Sequence, residues 1–172
     1  MKNIKQIISV MALGTVLISV VSCKNETKKA VPQQEEEVEV VHSNPEFKDA
    51  NVEKTFQHYL SLKDALVKTD AKEAKKDAEL MASTATNEDL KKLAVKISEE
   101  NDIKIQREQF SELTTLLKPV LKGSLVSGEI YEQHCPMALK GGANWFAVEK
   151  QINNPYYGDK MLHCGLVQET LK

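Results

Sequence analysis

Apolar residues recur along the middle of the chain at the spacing of one helix face. They fall at Val52, Phe56, Tyr59, Leu60, Leu66 and Val67, close to the period that buries one stripe of an amphipathic helix. Asn44, Pro45 and Glu46 ahead of them carry start signals: a side-chain acceptor, a proline tolerated at the first helical position, and an acid at the positive dipole end. The pattern predicts a first helix running to about Lys68. Asp70 with Glu73 resembles a capping box for a second helix ending near Ser83, with Ala74, Ala78 and Met81 on its buried face. Thr86 to Asp89 opens a third, with Leu90, Leu93, Ala94 and Ile97 on one side.

The stripe then meets Glu99, Glu100, Asn101 and Asp102 before resuming at Ile103, Phe110, Leu113 and Leu117. One unbroken helix over 87–117 would be about 46 Å long, against about 34 Å for the first. The mismatch predicts a break near Asn101. Pro119 and Gly123 are stop signals. The expected fold class is mainly α: an antiparallel bundle of three to four helices with a small C-terminal cap of loops and short strands.

After Gly128 the periodicity fails and the residue types change. The last stretch holds the only Trp, three of four Tyr and four of seven Gly. Short strands are expected over 129–133, 144–148 and 161–167. A turn is expected at Lys140-Gly141-Gly142, and loops at Asn153-Asn154-Pro155 and Tyr157-Gly158-Asp159. Lys72 to Asp77 and similar charged runs read as solvated helix faces, and His58 as a structural residue.

The N-terminus changes the setting. Lys2 and Lys5 precede the apolar run Ile7–Val21, shorter than the roughly 20 residues that span a bilayer and suited to a leader core. Val20-Val21-Ser22-Cys23 resembles a bacterial lipobox. Residues 1–22 are therefore expected to be a lipoprotein signal peptide, with Cys23 lipidated and acyl chains anchoring the protein to a membrane. Residues 23–43, rich in Glu, Gln and Lys, read as a tether. Residues 44–172 read as one domain, bundle 44–120 and cap 121–172. The expected location is the bacterial envelope. Lys24 after the lipid site favours the outer membrane, facing the periplasm, over the inner. A net charge of −2 without a basic stripe argues against a nucleic-acid partner.

Lipidation would leave two cysteines, Cys135 and Cys164, in the segments His134-Cys135-Pro136-Met137 and Met161-Leu162-His163-Cys164. Thiolate and thioether sulfurs are soft donors that select Cu(I). Cys135, Met137, Met161 and Cys164, with His163 and His134 as further donors, would suit a low-coordinate Cu(I) centre. Zinc seldom takes thioethers. The alternative, in an oxidising compartment, is that the same two cysteines form a disulfide, with both methionines as core filler. A thiol enzyme has weaker support: neighbours on a strand point to opposite faces, and no CxxC occurs.

The C-terminal pattern also resembles a known family. Tyr131, Cys135-Pro136-Met137-Ala138, Gly142-Ala143, Trp145, Ile152, Asn154 to Gly158, Met161-Leu162 and Cys164-Gly165 are similar to the signature of the DUF3347 family, with the helical half matching in pattern. His134 and His163 depart from it. The resemblance implies a bacterial envelope lipoprotein domain. Its occurrence on periplasmic adaptor subunits of heavy-metal efflux systems implies metal handling and an envelope efflux or delivery partner. Two functions are thus expected: Cu(I) buffering, delivery or efflux, or a non-enzymatic interaction module stapled by Cys135 and Cys164.

Overall fold

The computed structural model describes residues 44–172. The expected signal peptide, the lipid site Cys23 and the tether 23–43 lie outside the described residues. Four helices come first: α1 Ala50–Val67, α2 Ala71–Thr84, α3 Glu88–Glu99 and α4 Ile103–Ser124. Each begins at a side-chain cap. Asp49 accepts from Asn51 N–H at 2.8 Å, and Asp70 accepts from Lys72 and Glu73 N–H. Asn87 accepts from Asp89 and Leu90 N–H, and Asp102 from Lys104 N–H. Every such bond satisfies a donor that the first helical turn leaves free.

The break at Asn101 is present. Glu100 bends back so that its carboxylate accepts from Asn101 and Asp102 N–H at 2.7 and 2.8 Å, and Asp102 then caps α4.

In the helical half, two boundaries and one burial differ from the sequence expectation. Asn44-Pro45-Glu46 does not open α1. Strand β1, Glu46–Phe47, pairs antiparallel with β2, Leu125–Ser127, so both ends of the helical segment are tied together. Pro119 does not end α4, which continues to Ser124. Leu121, beyond the proline, is fully buried on the same stripe as Leu113 and Leu117, and its burial, about 1.5–3 kcal/mol, offsets much of the roughly 3 kcal/mol cost of an interior proline. The bundle therefore extends past residue 120. Asp77 is buried rather than solvated, and desolvation raises its pKa above the ordinary carboxylate value.

The cap is a three-stranded antiparallel sheet ordered β4-β3-β5. Its strands are β3 Ile130–Cys135, β4 Ala143–Ala147 and β5 Leu166–Leu171. The last strand lies later than expected, and Met161 to Gly165 is turn. Pairing with β3 sets Leu171 opposite Ile130, both buried, and a strand at 161–167 could not seat Leu171 there. Tyr59 at the centre of α1 joins bundle to cap. Its hydroxyl accepts from Phe146 N–H at 3.1 Å and donates to Thr114 Oγ1 at 2.8 Å, which itself donates to Phe110 O. Its ring stacks on Phe110 with centroids 5.0 Å apart. No helix among the described residues is long and apolar enough to cross a membrane.

Candidate functional site

Sheet register brings the two sulfur segments together. His134 pairs with Leu166 across β3 and β5, so Cys164, two residues before Leu166, falls beside the end of β3 where Cys135 stands. Gly165 makes the approach possible. Its φ is +147°, and a Cβ there would sit 2.9 Å from both His134 O and the Trp145 ring, closer than packed atoms tolerate.

The Sγ atoms of Cys135 and Cys164 are 3.0 Å apart, both as free thiols, with Cys135 buried and Cys164 half-buried. The Cys135 neighbour raises the Cys164 pKa above the ordinary thiol value. A covalent bond needs the sulfurs at about 2.0 Å, a shift of about 1 Å. Two thiolates on one metal ion, at about 2.3 Å per bond, stand roughly 3.7 Å apart at a tetrahedral angle and about 4.6 Å apart in line. The observed separation lies between these values, about 1 Å longer than a disulfide and about 0.7 Å shorter than a tetrahedral pair of thiolates.

The other expected donors are placed differently. Strand alternation sends His134 to the face opposite Cys135. There its Nδ1 donates to Asn144 Oδ1 at 2.5 Å, and Asn144 Nδ2 donates to Glu132 at 2.8 Å. The ring lies over Gly142, where a Cβ would meet it at 2.6 Å. His163 is exposed and donates from Nδ1 to Ile152 O at 2.8 Å. Met137 is 57% exposed in the turn after β3. Met161 is half-buried, and its carbonyl accepts from Cys164 N–H at 3.1 Å. Among the described residues no three His, Cys, Asp or Glu side chains gather in a way that could hold a metal ion. The structure therefore brings Cys135 and Cys164 together and leaves His134 and His163 on separate partners.

Other residues build the surroundings. Asn154 is fully buried and shapes the loop that presents Cys164. Its amide donates to Cys164 O at 2.9 Å, its Oδ1 accepts from Tyr156 N–H at 2.8 Å, and its backbone N–H donates to Leu162 O at 2.8 Å. Trp145 and Tyr156 are core residues packed edge to face, with centroids 6.1 Å apart. The Tyr157 hydroxyl donates to Met137 O, crossing from the second loop to the first. Arg107 on α4 anchors that second loop: Nε donates to Pro155 O at 2.7 Å, and Nη2 to Leu66 O at 2.9 Å and Thr69 Oγ1 at 3.1 Å. Sequence reasoning passed over Arg107, although it is the only arginine in the chain. That was the available signal, because a guanidinium fork serves several fixed acceptors in a way lysine does not.

A family model agrees with the resemblance seen in the sequence. The chain carries a DUF3347 segment. The model, described as a protein of unknown function, matches residues 55–128, from the first turns of α1 to the end of β2. The match covers the helical bundle, while the cysteine pair lies in the cap beyond it. No curated protein and no solved structure matches the chain.

Proposed function

We propose that this DUF3347 protein is a lipid-anchored, non-enzymatic binding module of the bacterial envelope, with Cys135 and Cys164 stapling its two motif loops. The observation that carries the reading is the 3.0 Å approach of the two sulfurs. The bond would tie the turn after β3 to the loop before β5, and those loops wall a cavity of about 710 Å³. The non-enzymatic part is supported by placement, since a thiol nucleophile needs a base within hydrogen-bond reach, His134 stands on the strand face opposite Cys135, and among the described residues neither cysteine sulfur hydrogen-bonds a histidine. The lipobox ending in Cys23 supports the anchor.

Copper(I) binding is the second reading. It is favoured by two thiols side by side, one of them half-buried, with Met161 one tight turn before Cys164. A metal would have to spread the sulfurs by about 0.7 Å or more, and Cys164 stands on a loop rather than a strand.

An anaerobic Cu(I) titration of reduced and oxidised protein against a chromogenic competitor separates the two. The module reading predicts no competition by either form. Stoichiometric binding by the reduced form, lost in Cys135→Ser and weakened in Met161→Leu, would replace it with the copper reading. Membrane fractionation tests the anchor: Cys23→Ser should lose the lipid and leave the membrane fraction, and unchanged partition would refute lipid anchoring.

A further inference from the structure

A cavity of about 710 Å³ lies where the C-terminal end of α1, the start of α4 and the two motif loops meet. Its floor includes Arg107, which is 9% exposed. No carboxylate among the described residues lies within ion-pair distance of that guanidinium, and its three hydrogen bonds all go to neutral oxygens. Its Nη1 donates to nothing among the described residues. Burial lowers the Arg107 pKa, yet an arginine remains charged in proteins. A buried charge without a counter-ion is costly, and an anion in the cavity would relieve that cost.

The rim carries Lys104, Lys160, Glu108 and Asp159. The two lysines and two acids cancel formally, so the positive charge on Arg107 is left over. Between rim and floor the wall is apolar: Ile103, Leu139, and the rings of Tyr156 and Tyr157. A second, independent feature lies at the same place. Only two non-glycine residues among the described ones have a positive φ, Thr69 at +59° and Leu139 at +50°, and both line this cavity. A β-branched residue in that region is a true outlier, and such strain gathers at ligand sites. Thr69 holds Arg107 through its Oγ1, and Leu139 is turned outward, 39% exposed, at the edge of the opening.

We propose that this cavity binds an organic carboxylate with an apolar body, its carboxylate held by Arg107 and its body laid against Leu139 and the two tyrosines. Nη1 supplies two free N–H groups, and the planar guanidinium suits a carboxylate better than a point cation does. A volume of about 710 Å³ falls within the usual range of small-ligand pockets. This names a ligand class for the binding module and rests on that reading, but not on the state of the cysteine pair.

The test is calorimetric titration of the full chain, oxidised and reduced, with octanoate and with 1-octanol. The two probes share an alkyl body, and only octanoate carries a charged head. Octanoate should saturate one site and bind at least about tenfold more tightly than octanol, as a hydrogen bond to a charge implies. Arg107→Gln should erase that preference, and Leu139→Ser should weaken octanoate severalfold. Absence of saturable octanoate binding, equal affinity for both probes, or a folded Arg107→Gln that keeps the preference would overturn the proposal. If Arg107→Gln does not fold, the wild-type contrast and the Leu139→Ser variant decide. Because both redox forms are titrated, a failed cysteine assay and a failed carboxylate site give different results.

Discussion

Replacing Tyr59 with phenylalanine removes one oxygen from the joint between bundle and cap. The ring keeps its place: it is fully buried, stacked on Phe110 at 5.0 Å and on Phe56 at 6.1 Å, and phenylalanine fills nearly the same volume. Thr114 Oγ1 still donates to Phe110 O, so it remains satisfied. The loss falls on Phe146, whose backbone N–H donates to the Tyr59 hydroxyl at 3.1 Å in a buried setting. An orphaned buried donor costs about 1–3 kcal/mol, well below the roughly 3–5 kcal/mol of deleting an aromatic ring. Urea unfolding followed by far-UV circular dichroism measures the total. Amide hydrogen exchange at Phe146 locates it, because that N–H should lose protection out of proportion to its neighbours. In a Thr114→Val background the Tyr59→Phe effect should shrink, since the hydroxyl has already lost its own acceptor. A Tyr59→Phe cost under about 0.5 kcal/mol, with Phe146 exchange unchanged, would refute this account of how the sheet is seated.

Three further outcomes follow from the geometry. Closing the Cys135–Cys164 loop, with a sequence separation of 29, should stabilise the domain by about 3.6 kcal/mol in the chain-entropy model; equal melting temperatures with and without reductant would contradict it. Glu169 is held at a pKa of about 2, below its ordinary 4.5, by hydrogen bonds from Lys122 and Lys118. Its contribution is complete above pH 4.5 and lost as pH falls towards 2, so Glu169→Gln should flatten the acid side of the stability profile, and a profile of unchanged slope would count against the lysine clasp. Leu139→Gly relieves a positive φ worth about 1–2 kcal/mol at an entropic cost of about 0.5–1 kcal/mol, so chemical denaturation should show a neutral to slightly more stable protein; a loss above about 1 kcal/mol would mean the turn is unstrained.

Features whose causes are local were readable in the sequence. Asp70, Asn87 and Asp102 each sit directly before an apolar stripe and cap it through their own side chains. The break at Asn101 was visible as a polar interruption of that stripe. Features decided by distant partners were not. Asn44-Pro45-Glu46 has the residue types of a helix start, yet Glu46 is drawn to Ser127, whose hydroxyl donates to its carboxylate at 2.8 Å. Pro119 reads as a stop, and only the buried Leu121 beyond it shows why the helix continues. The same division runs through the site. Cys135 and Cys164 stood out by type and do meet, whereas His134 and His163, equally prominent, turn to Asn144 and Ile152. Asn154 and Arg107 act by holding backbone carbonyls from other segments, and no local pattern announces that role.

The most direct test of the central claim is the thiol state of Cys135 and Cys164 in protein isolated from the cell envelope under acid quench. Alkylation followed by peptide mass spectrometry, with and without prior reduction, counts the free thiols. The stapled module predicts a peptide pair linked through Cys135 and Cys164 that separates only on reduction. Two freely alkylated thiols in the unreduced sample would contradict the staple and return the pair to service as a soft-metal site.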